Sequence, residues 1–533
     1  MFKNYSILLT ISLYIIISSC AQFVPPTGGP KDITPPNLTE SFPKNETLNY
    51  KQKTIRLVFD ELIDASSLRQ ELIITPQPES AFEVKVKSNE LLLQYDKPFL
   101  DSTTYTFNFR QGIKDLNERT PAKNLKLVFS TGNEIDSLSI SGKANYLWSG
   151  QIADEVLVGL YTINKEDTIP VLLRKPNYFI KTDTSGNYSF ENIKSGKYQL
   201  IAFQDKNSNL IFDQSKELFS FHPDTIKLDS NISNLTLSLY PNDRTELKVK
   251  RSLARRNNYS IAFNKDYEKI EVNFPTDDSL TYQFRREELL FFKHPNTSDT
   301  TLTKIIVQDS LGQKLEINTK IYFQEDPETK TKIEALSIRS EIKPNIKLKK
   351  PIEYIFDFEY PIIDFDTSKF KILGDTTYLE KYTFEWLDPS HTKISIKTNP
   401  IAKRDLQLNF QSGAITNYKS DTNSTYTLIN TLYPQESYGL IEGTINKDSS
   451  NYIIQLIDSK TTQVIDFQET NSIFSFKKVI AGNYYLRIIK DANNNHRWDT
   501  GYFEQQQQPE EITIYPELLR LKENFELRDI VIN

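Results

Sequence analysis

The chain has 533 residues, and 64 Lys+Arg against 70 Asp+Glu give a formal charge of −6, so no basic face points to nucleic acid. The single cysteine, Cys20, excludes internal disulfides and any Cys-based metal site or thiol nucleophile in the body. A hydrophobic fraction of 38% is too high for disorder, and 32 Phe and 28 Tyr against one Met and 16 Gly favour the pleated surface of strands. The four histidines, His222, His294, His391 and His496, are too scattered in sequence for a metal cluster.

At the N-terminus, Lys3 precedes an apolar run from Ile7 to Ile17, followed by Ser18, Ser19 and Cys20. This is the order of a secretory signal, and the run falls short of the roughly 20 residues a membrane-spanning helix needs. Ile17-Ser18-Ser19-Cys20 resembles a bacterial lipoprotein signal. The resemblance implies that residues 1–19 are removed and that Cys20 becomes a lipidated N-terminus. Two or three acyl chains hold a membrane stably where one does not. The alternative is an unmodified cysteine beside an ordinary cleavage site. Residues 20–36 contain five prolines and Gly28-Gly29, which reads as a stiff tether with one flexible point. The expected location is the outer membrane, on its periplasmic or cell-surface face.

Beyond the tether, period-2 alternation recurs. Ile55, Leu57 and Phe59 alternate with Thr54, Arg56 and Val58, and Tyr105, Phe107 and Phe109 with Thr104, Thr106 and Asn108. The same pattern places Phe82, Val84 and Val86, and later Ile394 and Ile396, on single faces. No amphipathic helix of twelve or more residues is expected in the body. The fold class expected is all-β, a tandem array of about five Ig-size sandwiches.

Self-comparison organises the array. Tyr188 to Leu200 (YSFENIKSGKYQL) maps onto Phe474 to Leu486 (FSFKKVIAGNYYL) with an offset of 286 residues. A second repeat carries Asn108 to Gly112 onto Asn409 to Gly413 with an offset of 301. The expected domains are therefore 37–133 and its diverged copy 344–434, and 137–242 and its copy 438–533. A middle sandwich of unclear kinship occupies 243–343.

Ile55 to Glu61 (IRLVFDE), Thr104 to Asp115 (TYTFNFRQGIKD) and Phe129 to Gly132 (FSTG) resemble the bacterial Ig-like domain of the SbsA type. Thr182 to Leu200, with turn positions at Gly186 and Gly196, resembles the transthyretin-like or carboxypeptidase-regulatory-like sandwich. The whole arrangement, including PTGGPKD after Cys20, looks like an Ig-like-domain lipoprotein of Bacteroidetes. Both domain families imply structural or accessory roles with no catalytic residues to transfer.

The sharpest chemical motif is D-x-N-x-N-x-x-x-D, present twice. Asp205, Asn207, Asn209 and Asp213 form the first copy, and Asp491, Asn493, Asn495 and Asp499 the second. Four oxygen side chains at this spacing match the start of an EF-hand-type calcium loop, with Glu217 and Glu504 as later carboxylates. Position 6 is Leu210 or His496 in place of Gly, and position 12 is Lys216 or Tyr502 in place of Glu. The competing reading is an Asx-rich turn that bonds its own backbone. If calcium binds, two or three carboxylates per loop predict weak affinity, about 10⁻⁴ to 10⁻³ M.

Other candidates have plainer alternatives. Trp148, Trp386 and Trp498 offer sugar-stacking rings or core packing. Lys248, Lys250, Arg251, Arg255 and Arg256 offer a phosphate contact or a solvated junction. Asp60 and Glu61 are adjacent on a strand, which turns them to opposite faces and makes a poor acid–base pair. The expected function is a non-enzymatic, lipid-anchored scaffold, adhesin or binding accessory of the envelope, with an envelope protein or glycan as partner. The alternative is a glycan-binding lipoprotein of a polysaccharide-uptake system.

Overall fold

Strand Thr54–Phe59 shows how this chain builds its sheets. Ile55, Leu57 and Phe59 are buried, while the residues between them are half-exposed. Alternate side chains leave opposite faces, so apolar residues at every second position supply a core. The computed structural model describes residues 32–164, 168–255, 258–274, 280–293, 298, 300–324, 336–375, 378–434, 437–448 and 450–533. Cys20, Arg256 and His294 lie outside them. Among the described residues the longest α-helix is the four-residue turn Leu68–Glu71. No helix there is long and apolar enough to cross a membrane. The protein is all-β.

The chain divides into two compact units. The first comprises the described residues within Met1–Tyr146, Gln151–Phe212 and Phe219–Leu239. It opens with a four-stranded sheet in the order Leu38–Phe42, Thr54–Phe59, Glu90–Tyr95, Phe82–Lys87. A three-stranded sheet, Ile73–Thr75, Thr104–Asn108 and Lys126–Ser130, shares its core, as does the two-residue pair Ile63–Asp64 with Lys114–Asp115. A second sandwich follows. Its first strand, Leu138–Tyr146, lies between an antiparallel neighbour, Asn187–Ile193, and a parallel one, Ile232–Pro241. Its other face is built on Gly196–Phe203, which pairs with Leu157–Thr162, Leu218–Phe221 and Ile226–Leu228.

The second unit comprises Leu147–Gly150, Asp213–Leu218 and Tyr240–Asn533. Its first sandwich joins the sheet Val249–Ala254, Asn258–Phe263, Glu288–Phe292, Thr281–Arg285 to the sheet Lys269–Asn273, Thr300–Gln308, Lys314–Tyr322. The next has a sheet ordered Ile338–Ser340, Ile352–Phe358, Lys393–Thr398, Tyr382–Trp386. That is the strand order of the first sandwich of the chain. The likeness extends to the small pair Ile362–Phe365 with Ile415–Asn417 and to the sheet containing Phe370–Gly374, Asp405–Phe410 and Tyr426–Leu432. The last sandwich repeats the second. Tyr438–Ile445 pairs antiparallel with Ile473–Ile480 and parallel with Glu526–Ile532, and Gly482–Asp491 pairs with Asn451–Asp458, Ile512–Ile514 and Leu519–Leu521.

The repeated sandwiches agree down to single atoms. Tyr198 Oη donates to the carbonyl of Lys194, and Tyr484 Oη to that of Ile480, both at 2.7 Å. Asn192 and Lys478, at matching positions, have φ of 59° and 56°. In each copy a glycine of the first strand admits the parallel partner closely. A Cβ on Gly142 would lie 1.8 Å from the Leu235 carbonyl oxygen, and one on Gly443 would lie 2.2 Å from that of Ile530. Gly443→Ala therefore forces the parallel strand pair apart. The expected cost is about 2 kcal/mol, read as a lower urea midpoint of unfolding, while Ala at the exposed neighbour Thr444 leaves the midpoint unchanged.

Candidate functional site

The repeated Asp/Asn loop leaves the end of strand Gly482–Asp491 and folds back on its own first residue. Asp491 Oδ1 accepts from the Asn495 N–H at 3.1 Å and Oδ2 from the His496 N–H at 2.9 Å. Asn493 Oδ1 shares the Asn495 N–H, and Asn495 Oδ1 accepts from Arg497 N–H. Left-handed backbone at Asn494 (φ 58°) and His496 (φ 66°) curls the segment tightly enough for this. Asp491 is only 2% exposed, so its charge rests on these N–H donors.

In the first unit Asp205 and Asn207 accept from Asn209 N–H, Asp205 also from Leu210 N–H, and Asn209 from Ile211 N–H. Ser208 and Leu210 carry the same left-handed φ, 57° and 63°. Asp213 and Glu217 belong to the second unit. There Glu217 Oε2 accepts from the Asp213 N–H at 2.9 Å, and Asp213 holds the Ser215 N–H and hydroxyl, contacts that lower its pKa.

The second copy is closed by a residue that spacing does not indicate. Glu510 accepts from Ala492 N–H through Oε1 at 2.8 Å and from Asp499 N–H through Oε2 at 3.0 Å. Its backbone carbonyl accepts from Trp498 Nε1 at 3.0 Å. Burial raises its pKa, against the two N–H donors that lower it, and Asp499 and Asp491 add repulsion. Glu504, expected in this role, sits exposed on the 3₁₀ turn Phe503–Gln505. That turn carries it away, and the chain returns to the loop only at Glu510. Asp499 Oδ2 accepts from the Nδ2 groups of Asn493 and Asn495 at 2.6 and 2.8 Å. Amide nitrogens thus face the inner carboxylate. Among the described residues no group of three or more His, Cys, Asp or Glu is arranged to hold a metal ion.

The continuation of the loop makes a bracket within the second unit. Arg497 Nη1 meets both Glu268 carboxylate oxygens at 2.9 and 3.1 Å. Thr500 Oγ1 donates to the Pro241 carbonyl at 3.0 Å. Arg244 donates through Nε and Nη2 to the Gly501 carbonyl, and its guanidinium lies 3.9 Å from the centre of the Tyr502 ring. Trp498 stands edge-on to Trp148 at 5.0 Å, and Arg487 covers the Trp148 ring and donates to its carbonyl. Both tryptophans are half-buried in this packing. Trp386 lies on His391 at 4.8 Å and against Phe358.

The remaining candidates are held locally. Asp60 accepts from the backbone and side-chain N–H groups of Asn37. Glu61 has a raised pKa, through burial first and then repulsion from Asp115 and Asp60. Lys248, Lys250, Arg251 and Arg255 are exposed on or beside the sheet-edge strand Val249–Ala254, where charge discourages edge-to-edge pairing. Asp491→Ala is expected to leave two backbone N–H groups without their charged acceptor. The stability loss is about 2 kcal/mol, measured by urea unfolding, while Glu504→Ala changes nothing.

No curated protein matches the chain. Among solved structures, the S-layer protein SbsC shares 10% identity, with 90% of this chain and 67% of that one covered and a TM-score of 0.16. A DUF3823 family protein from Bacteroides uniformis shares 8%, covering 35% of this chain and 100% of that one, with a TM-score of 0.13. SGBP-B of the Bacteroides ovatus mixed-linkage glucan utilization locus, solved with a mixed-linkage heptasaccharide, shares 10% over 65% of this chain and 87% of that one, with a TM-score of 0.16. Residues 32–131, the first sandwich, match the family model of the bacterial Ig-like domain.

Proposed function

We propose that this protein is a non-catalytic, lipid-anchored scaffold of the cell envelope, in which duplicated sandwiches present binding surfaces. The bracket around Arg497, Thr500 and Arg244 carries this reading, because it joins parts of the second unit that lie far apart in the chain. In this reading the first and fourth sandwiches are SbsA-type Ig-like domains, supported by their shared strand order. The second and fifth are transthyretin-like. Repeated sandwiches extend reach and multiply contact surfaces. Cys20 supplies the anchor, at an outer membrane, facing the periplasm or the cell surface. Cys20→Ser is expected to move the protein from the membrane fraction to the soluble fraction. Unchanged partitioning defeats the anchor.

Calcium belongs to the same reading as a weak brace of the repeated loops. Turning over the Asn493 and Asn495 amides would aim oxygen at Asp499 Oδ2, and a divalent cation would then replace two N–H donors. The exchange gives up the turn bonds to Asn495 and Arg497 N–H. Calcium at about millimolar concentration is expected to raise Tm, and Asp205→Ala with Asp491→Ala to abolish the rise. A wild-type Tm that ignores calcium leaves the loops as plain Asx turns.

A further inference from the structure

The turn between strands Asn187–Ile193 and Gly196–Phe203 has a counterpart in the last sandwich, but the two have different partners. In the first unit Glu191 pairs with Lys126 at 3.0 Å. Asn192 donates to the Asp136 carbonyl at 3.0 Å and accepts from the Thr106 hydroxyl at 3.4 Å. The turn is thereby seated against the Ig-like sandwich of that unit. The matching residues of the second unit are Lys477 and Lys478. They line a cleft of about 630 Å³ together with Lys350, Tyr433, Asn524 and Phe525.

Positive charge concentrates around this cleft. Lys347 lies over the Tyr433 ring at 4.8 Å and Lys522 over Phe525 at 5.8 Å. Burial lowers the pKa of Lys349; the pull of Asp466 opposes this, and the nearby Lys478 adds a smaller repulsion. Of the acids, Glu526 lines the cleft and is paired with Arg528 at 2.7 Å, and Glu523 accepts from the Ser437 hydroxyl. None of these six lysines is in an ion pair with a described residue, whereas Lys393, Lys397 and Lys490 of the same unit each are. Lys478 also sits at φ 56°, a conformation its counterpart Asn192 adopts more readily. Among the described residues the Tyr438 hydroxyl at the cleft is buried without a hydrogen-bond partner. Phe525 is 56% exposed, an apolar ring left at the rim.

We infer that this cleft binds a carboxylate-bearing sugar chain. The lysines supply charge-assisted bonds to carboxylates. Asn399 and Asn524 offer donors and acceptors to hydroxyls, and the rings of Tyr433 and Phe525, each with a lysine over one face, bring aromatic surface to the cleft for sugar contact. The volume falls within the range of small-ligand clefts. The inference rests on the binding-scaffold reading and gives it a ligand class. A recessed cleft with aromatic walls suits a ring-bearing polyanion better than the flat face of a membrane.

The test titrates the full-length chain with galacturonate oligomers, a neutral glucan oligomer of the same length and phosphatidylglycerol vesicles. Binding of the acidic oligomer is expected, weakening as salt is raised. Lys477→Glu with Lys478→Asn restores the residues of the first copy, so the turn keeps its geometry. It is expected to weaken binding roughly tenfold or more. Phe525→Ala removes an exposed ring, cannot unfold a core, and is also expected to weaken binding. Equal affinity for the neutral oligomer, binding to vesicles alone, or undiminished affinity in both variants overturns the inference. Such a result leaves the anchored scaffold standing, since the partitioning of Cys20→Ser decides that separately.

Discussion

With its one cysteine ahead of every described residue, this chain has to close each β-sandwich by packing alone. Aromatic rings carry that burden, since each buries a large area. In the first sandwich Phe99 is the hub, with Tyr95 and Tyr105 at 4.9 Å and Phe129 at 5.2 Å. In the fourth, Phe410 takes the place of a hub, 4.4 Å from Phe370 and 5.1 Å from Phe356. The tilted and edge-on geometries are those that ring quadrupoles favour. Buried tyrosines need a partner for the hydroxyl, and the Tyr198 and Tyr484 corners supply one from the backbone. Burial pushes the Tyr484 phenol up to about 12, so it remains a neutral donor at any physiological pH.

Loops without disulfides need their own closure, and the Asp/Asn ladders provide it. A buried carboxylate that accepts two backbone N–H groups fixes a turn as a covalent link would, at the expense of desolvating a charge. The second ladder then extends into the bracket with Arg244 and Glu268. There Arg244 does what a lysine cannot, offering two nitrogens of one rigid fork to the Gly501 carbonyl, while Arg497 meets both Glu268 oxygens through Nη1.

The sequence made the strands legible wherever one face is buried and the other wet. Ile55, Leu57 and Phe59 are inside, as are Tyr105, Phe107 and Phe109. Phe82 and Val84 were harder, because their strand lies at a sheet edge and Val86 is 42% exposed. Phe99 was invisible to periodicity, since it sits between strands and reaches the core from an irregular segment. The Asp/Asn spacing located both loops, yet spacing does not say whether an oxygen faces a cation or an N–H. Glu510 was missed because a turn intervenes, so the nearer Glu504 looked the better partner. The contact of Trp148 with Trp498 spans 350 residues and has no local signal.

Duplication lets one copy serve as a control for the other. The turn at Glu191-Asn192 and the turn at Lys477-Lys478 share a backbone, with φ of 59° and 56° at the second residue. Geometry is therefore held constant while chemistry changes sign. Where the pair is Glu-Asn, the turn is bonded to the sandwich before it, and the lysine it meets is satisfied. Where the pair is Lys-Lys, no described acid forms an ion pair with either residue, and neighbouring lysines add to the positive charge, although Asp466 acts on Lys349 and Lys350 donates to the Ala402 carbonyl. A chain selected only for rigidity gains nothing by replacing an ion pair with like charges around a cleft. Such a cluster is stabilised by an anion from outside, and its rings and amides are what a sugar-borne carboxylate would use.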